Sequence, residues 1–396
     1  MHSVWEVVGP HELMYQFRSP QSETQMDPCY RIEDTSEIIT PAIVLFREIL
    51  EENIDKMVAI ARDPLRLRPH CKTHKMREVV ELQLSRGIVK HKCATFAEAE
   101  MLAQTGVKDV FLAYNLVGPN ISRAVKFVEK YPHVTFSVTA DHPVPLAELG
   151  RAMSASGRSV EVLLDIDTGQ HRTGLMVGEH AKQLYRQIIK TEGLKPGGFH
   201  VYDGHQHQRS RDERRVAIDV EWAKVIAFRD ELLREGDPVP RIVAGQTASF
   251  PVYAEKDDPT IELSPGTCVF NDASYSERLP DLQFTPAALM LTRVISRPAA
   301  DRVTLDLGYK AVASDPPVGS RLVFFDLPDA EQVLQNEEHL VIETADAGRF
   351  QPGDELYALP RHICPTSALH KQVFVISGGK LVECWDVAAR DRRLTV

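Results

Sequence analysis

Between about residue 40 and residue 283 the chain alternates short apolar runs with amphipathic stretches. The runs "LRLRPHCKT", "IVKHKCAT", "KDVFLAYN", "HVTFSVTA", "SVEVLLDID", "GGFHVYDG", "PRIVAGQ" and "PTIELSPGTCVF" are rich in β-branched or aromatic residues. Gly, Pro or Asp bounds most of them, which predicts strands. Stretches such as "MREVVELQLSRG", "FAEAEMLAQTG", "ISRAVKFVEKY" and "EHAKQLYRQIIKTEG" carry helical spacing between them, and Gly87 closes the first as a C-terminal cap. Strands alternating with helices demand a parallel sheet covered by helices. Eight such units over this length predict an α/β fold of the (β/α)8 TIM type rather than an open doubly wound sheet. No G-x-G-x-x-G follows the first strand, which weakens a dinucleotide-binding alternative.

After about residue 284 the helical period fades. "AALMLTRVISRP", "DRVTLDLGYKAV", "RLVFFDL", "HLVIETA", "DELYALP" and "KQVFVISGGKLVECWDVAAR" are β-branched runs punctuated by turn residues. They predict a separate C-terminal all-β domain. The expected organisation is an N-terminal extension over 1–37, a barrel over 38–283 and the β domain over 284–396. The extension has no clean period and collects polar residues in "RSPQSETQMDP". It reads as irregular chain, with an ordered cap over a partner subunit as the other reading.

Composition narrows the function classes. The chain has 396 residues, a net charge of −10 and a pI near 5.9, which argues against a nucleic-acid or anionic-membrane partner. No apolar run approaches the roughly 18 residues of a membrane span, and "MHSVWEVVGPHELMYQF" lacks the basic and apolar regions of a secretory signal. Cys29, Cys71, Cys93, Cys268, Cys364 and Cys384 are scattered, so a reducing cytoplasm is expected.

Candidate chemistry collects where predicted strands end, the functional rim of such barrels. Lys72 follows the first strand, where partial desolvation makes an amine available for imine chemistry. His70 and His74 at i, i+4 could instead ligate zinc, although Pro69 disfavours the helix this needs. A solvated basic loop is the third reading, and spacing alone leaves all three open. In "DIDTGQHRTG", Arg172 could reach an anion or a ring nitrogen, or simply pair with Asp165 or Asp167. "GFHVYDGHQH" puts His200 and Tyr202 on one face of a strand end, suited to a cofactor or a general base. The turns "AGQTASF" (Gly245, Gln246, Thr247) and "SPGTCVF" (Gly266, Thr267, Cys268) follow the last two strands, the usual phosphate site. "RHICPT" places His362 and Cys364 at i, i+2, on one side of a strand. Imidazole and thiolate are two ligands of a zinc-like ion, and a buried cysteine beside an incidental histidine is the plain alternative.

Together "RPHCKTHK", "ATFAEAEMLAQTGVKDVFLAYN", "DIDTGQHRTG", "SPGTCVFND" and "HICPT…WDVAARDR" resemble the D-threonine aldolase / D-serine dehydratase family over roughly residues 38–396. The resemblance implies the alanine racemase fold, a pyridoxal phosphate-binding barrel with a C-terminal β domain. It implies a lyase acting on small D-3-hydroxy amino acids, assembled as a homodimer, with Lys72 as the lysine bonded to pyridoxal 5'-phosphate. Arg172 and, more loosely, His200 and Tyr202 would line the cofactor. Gly245, Gln246 and Thr247 would form one phosphate turn, and Gly266, Thr267 and Cys268 the other. His362 and Cys364 would hold a divalent metal. Typical D-threonine aldolases pair the metal histidine with aspartate, whereas cysteine is more like the dehydratase branch. A thiolate favours zinc over manganese or magnesium. The expected reaction is retro-aldol cleavage to glycine and an aldehyde. Dehydration to an oxo acid and ammonia is the alternative, and a racemase or a non-enzymatic cofactor-binding protein stands further off.

Overall fold

A computed structural model describes residues 28–396. Residues 1–27, most of the sequence-predicted extension and of its reading as a cap, lie outside the described residues. Strand β1 (Ala42–Phe46), the first strand among the described residues, leads directly into helix α1 (Arg47–Ala61). The barrel strands are β2 (Lys90–Cys93), β3 (Asp109–Asn115), β4 (Thr135–Ala140), β5 (Val160–Ile166), β6 (Leu194–Val201), β7 (Ile242–Ala244) and β8 (Ile261–Leu263). Helices α2 (Arg77–Ser85), α3 (Phe96–Gln104), α4 (Pro119–Lys130), α5 (Pro143–Ala155), α6 (Glu179–Lys190), α7 (Arg211–Arg234) and α8 (Phe250–Ala254) alternate with them. Most cover the sheet with one apolar face, whereas α3 is buried continuously from Phe96 to Ala103. In α4 that face is Ile121, Ala124, Phe127 and Val128, with the Phe127 ring 4.4 Å from that of Phe136 on β4. Burying each large apolar side chain stabilises the layer by about 1.5–3 kcal/mol.

β2 to β8 form one parallel sheet in sequence order. The eighth place is taken by the predicted first strand, "LRLRPHCKT", in reduced form. Leu65 and Arg66 complete a short 3-10 turn, and the extended stretch 67–70 then bridges Leu263 on one side and Lys92 on the other. Arg68 N–H donates to Leu263, His70 N–H to Pro265, and Lys92 N–H to Pro69. Pro69 itself donates nothing, and the chain turns at Cys71, so the segment stays short while still closing the ring.

The barrel interior is layered. At the N-terminal end of the strands Arg68 pairs with both oxygens of Asp109 at 2.8 and 2.9 Å and with Glu262, which also receives Lys90 at 2.7 Å. Arg241 pairs with Glu161. Phe111, Leu163 and Val243 form an apolar layer beyond these ions. Lys92, Asp165 and His200, each the next-to-last residue of its strand, carry polar groups toward the other mouth.

A second, mixed sheet holds β9 (Ala288–Ala299), β10 (Arg302–Leu305), β11 (Leu322–Phe324), β12 (Glu331–Gln335), β13 (Leu340–Glu343), β14 (Glu355–Pro360), β15 (Gln372–Ser377) and β16 (Lys380–Asp386). Its main path runs β12-β13-β10-β9-β1-β15-β16, and β14 joins β9 to β11. β1 therefore lies between β9 and β15, antiparallel to the first and parallel to the second. Sequence order places this strand in the barrel, but its hydrogen bonds place it in the middle of the second sheet. Two short helices complete the frame: α9 (Ala273–Arg278) after the barrel, and α10 (Ile363–Leu369) within the second domain. No described helix is long and apolar enough to cross a membrane.

Candidate active site

At the C-terminal ends of the strands a cavity of about 520 Å3 opens, lined by residues from the first segment round to β6. Lys72 sits at its edge, in the turn after His70, with its amine 5.8 Å from the centre of the Tyr202 ring. His70 fixes that turn by accepting the Lys72 N–H on Nδ1. The Tyr202 ring gathers two more cations: the Arg172 guanidinium at 4.4 Å and the Lys92 amine at 5.9 Å. Neither carboxylate considered for Arg172 pairs with it: Asp165 pairs with His200, and Asp167 with His171. Arg172 thus stacks on the ring at the cavity mouth.

His200 is buried, with Nδ1 2.7 Å from Asp165 Oδ1. Burial lowers its pKa against the raising effect of Asp165, which keeps the ring neutral near pH 7. Nδ1–H then donates to the carboxylate. The other nitrogen, Nε2, is buried without a hydrogen-bond partner on a side chain that lines the cavity. That is the posture of a general base. Burial alone would raise the Asp165 carboxyl, and the His200 hydrogen bond brings it below its ordinary value.

The two late turns sit on the far side of Tyr202, whose ring also lines a smaller cavity of about 240 Å3 with Gln246 and Tyr275. Thr247 Oγ1 accepts the N–H groups of Gly266 and Thr267 at 3.2 and 3.0 Å, so one turn rests on the other. Gln246 is held through Gln206, Ala248 and Tyr275. Gly245 has φ +80, and a Cβ there would come within 2.9 Å of the Tyr253 ring. At Gly266 a Cβ would press 3.2 Å from that of His70. Cys268 turns its thiol into the core against Met57, and burial pushes that thiol up to about 12, leaving only its backbone for the turn.

His362 and Cys364 do come together, but not on a strand. His362 is the N-cap of α10 and Cys364 lies in its first turn, beside Pro365. A helix start accepts a proline that a strand ladder would not. Thr73, next to Lys72, puts its hydroxyl 3.2 Å from Cys364 Sγ, and the Thr267 hydroxyl lies 3.5 Å away. Burial would raise the Cys364 thiol, but His362 and Lys72 bring it below its ordinary value. His362 Nδ1 lies 2.6 Å from Asp315, leaving Nε2 for another partner. Of the rival zinc pair, His70 Nδ1 accepts the Lys72 N–H, and His74 Nε2 is buried without a hydrogen-bond partner among the described residues. His74 Nδ1 accepts the Met76 N–H, while His70, Cys71 and Glu98 approach one another in a buried cluster that Lys75 neutralises.

Sequence reasoning passed over Lys92, Asp315 and Thr73. Lys92 carried a signal. A lysine at the middle of a short strand in a helix-covered parallel sheet has no solvent to reach.

Two family models match. "Alanine racemase, N-terminal domain" covers residues 47–273, and "Putative serine dehydratase domain" covers 287–376. D-threonine aldolase of Arthrobacter sp is 31% identical over 92% of this chain and 94% of its own. 3-hydroxy-D-aspartate aldolase of Paracoccus denitrificans (strain Pd 1222) is 30% identical over 91% and 94%. The D-threonine aldolase structure from Filomicrobium marinum superposes with a TM-score of 0.83 at 27% identity, covering 89% of this chain and 96% of that one. D-threo-3-hydroxyaspartate dehydratase of Delftia sp. HT23 shares the fold, with a TM-score of 0.77 at 23% identity over 88% and 97%. Barrel and second sheet are shared with these relatives, and this chain belongs to the D-threonine aldolase / D-serine dehydratase family of fold-type III pyridoxal phosphate enzymes.

Proposed function

We propose that this protein is a pyridoxal phosphate- and metal-dependent lyase that cleaves D-3-hydroxy amino acids to glycine and an aldehyde. One observation carries the reading: Lys72 lines the cavity, and Thr73 in the same turn lies 3.2 Å from Cys364 Sγ, which brings the amine and the His362/Cys364 pair close together. The relatives include aldolases for D-threonine and 3-hydroxy-D-aspartate.

The residues fit both groups. A cavity walled by Lys72, Lys92 and Arg172 suits an anionic aromatic ligand, and the bare His200 Nε2 and Asn115 Oδ1 are buried polar atoms awaiting a partner. Lys72 would bind the cofactor aldehyde through Nζ, and Arg172 and Tyr202 would hold the ring. The backbone of Gly245, Gln246, Thr247, Gly266, Thr267 and Cys268 would meet the phosphate. Bound pyridoxal phosphate supplies an electron sink for the pair released at Cα. His362 Nε2 and Cys364 Sγ would hold the divalent ion, zinc by the softness of a thiolate, near the substrate's β-hydroxyl. His200 Nε2 takes the β-hydroxyl proton as Cα–Cβ breaks. Asp165 holds the imidazolium that results.

Cys364 supports a second reading, dehydration, in which Lys72 Nζ takes the α-proton and hydroxide leaves from Cβ. A product panel separates the two. Offered D-threonine, D-serine and D-3-hydroxyaspartate with added zinc or manganese, the protein is expected to yield glycine and aldehyde. Oxo acid and ammonia would establish the second reading, and no product from any of them would end both.

Asp315 belongs to this reading as a positioning residue, because it fixes the ring that faces the metal. Asp315→Asn is expected to weaken zinc binding about 10–100-fold, as outer-sphere partners of metal histidines do. Zinc titration of the apoprotein checks this, and an unchanged affinity would remove Asp315 from the site.

A homodimer fits the half-exposed Tyr114 and Val117 at the cavity mouth, which offer an apolar rim to a second subunit. Sedimentation at the mass of a single chain would refute it. A cytoplasmic location remains the reading from the scattered thiols.

A further inference from the structure

The turn that carries Lys72 ends on a strained residue. Four non-glycine residues among the described ones adopt a left-handed backbone, and one of them is Lys75, with φ +56. The turn 71–75 is closed by the Lys75 N–H, which donates to the Cys71 carbonyl at 2.8 Å. A helical turn that stops this way usually ends on glycine or asparagine, which take the left-handed conformation at little cost. A lysine keeps it only where its surroundings over-determine it, and such strain collects at functional sites.

The surroundings hold Lys75 by backbone and side chain. Its amine pairs with Glu98, which is completely buried on α3, and lies 3.5 Å from the Ala389 carbonyl. Its own carbonyl accepts the Ala389 N–H at 3.1 Å. Ala389 lies just past β16, so this grip comes from the second domain. Glu98 also accepts the Ala94 N–H at 2.7 Å, just past β2, and the Cys71 thiol at 3.7 Å. One carboxylate thus ties the start of the turn, its end and the neighbouring strand. On the other side of Lys72, the Cys71 N–H donates to the Lys92 carbonyl, and the Lys72 N–H donates to His70. The backbone is clamped before and after Lys72, while its side chain reaches the cavity. Lys75, Glu98 and Ala389 do not line that cavity, so any part they take in its chemistry passes through Lys72.

We propose that Lys75 is a positioning residue for Lys72: locked between Glu98 and Ala389, it sets the turn so that the Lys72 amine meets the cofactor aldehyde. This rests on the cofactor reading above. There Lys72 Nζ, as a free amine, forms a double bond to the aldehyde carbon, and the aldehyde oxygen leaves as water with the two amine hydrogens. The geometry of approach decides how readily that happens. Without the lock the cavity and the phosphate turns keep their places, and the amine loses its fixed starting point.

Two ligands titrated into apoprotein separate positioning from support. Pyridoxal phosphate carries the aldehyde, whereas pyridoxine phosphate carries an alcohol there and cannot bond to an amine. Lys75→Met is expected to weaken pyridoxal phosphate binding roughly tenfold, the scale of one strained backbone position. It is expected to leave pyridoxine phosphate within about twofold of wild type. Because Lys75→Met strands the buried Glu98 charge, the pair is also removed together as Lys75→Met/Glu98→Gln, which disturbs the fold less. The double variant is expected to show the same split and no larger a loss, since both changes undo one lock. Equal losses with the two ligands, or no loss with either, mark a lysine that only supports the fold, and would overturn the proposal. A wild type that binds pyridoxal phosphate no more tightly than pyridoxine phosphate would instead bring down the cofactor reading itself.

Discussion

Lys72→Ala is expected to fold normally and to lose turnover by on the order of 10³-fold or more. The side chain is only half-buried, and its contact with the Tyr202 face is worth little to the fold. What its loss removes is the one flexible amine at the end of the ring-closing segment, fixed there by the His70 hydrogen bond to its backbone. Lys72→Arg restores the charge but not a nucleophilic amine, so it is expected to fail as well. Borohydride reduction of the loaded wild type, followed by peptide mapping, is expected to mark the peptide of Lys72. A mark on Lys92, or activity retained by Lys72→Ala, would displace the assignment.

The second large effect lies at the other end of the barrel and concerns stability. Arg68 is completely buried and answers two carboxylates at once. Replacing it by Met leaves Asp109 without its fork and Glu262 with Lys90 alone. Breaking a buried ion pair from one side costs about 3–5 kcal/mol. Acid unfolding gives a sharper reading. Burial would raise Glu262, but Arg68 and then Lys90 hold it at about 2. Its folded pKa is thus below the unfolded value of about 4.3. The stabilisation is complete above that value and lost as pH falls through about 2. In Arg68→Met most of it is absent, so acid unfolding is expected to begin at higher pH. An unchanged acid midpoint, or a loss under about 1 kcal/mol in denaturant, would show that the ion layer is merely tolerated. The Lys72 turn lies at the opposite mouth, so the folded fraction is expected to keep its activity.

The barrel was legible because helix and strand periods alternate with little interruption, and because helices such as α4 and α6 bury a stripe readable within their own dozen residues. The misreadings have local causes. Around Cys364 the pattern His-x-Cys was taken at strand spacing, while Pro365 announced a helix start. At 65–73 the apolar alternation is real, but Pro69 and the turn at Cys71 reduce the strand to two bridges. Lys92 lies inside a run that reads as a strand, and nothing nearby in sequence shows what its amine lacks. Asp315 lies 47 residues from His362 in sequence, too far for any motif to join them. The approach of Cys364 to the turn of Lys72, through Thr73, follows from how two domains meet. In the sequence it was available only as a family resemblance.

Strand β1 raises a question of timing during synthesis. All five of its residues are buried, and its neighbours β9 and β15 lie about 240 and 330 residues further along the chain. On a ribosome adding roughly 5–20 residues per second, "AIVLF" waits for tens of seconds with both edges bare. Every barrel strand leaves the tunnel during that wait. The barrel can close while the strand that precedes it still lacks partners, and an exposed apolar edge is what aggregation templates use. Nascent chains halted with β8 outside the tunnel and β9 still inside it should therefore hold a closed barrel and a sticky leader, and a trigger-type chaperone should bind them at Ala42–Phe46.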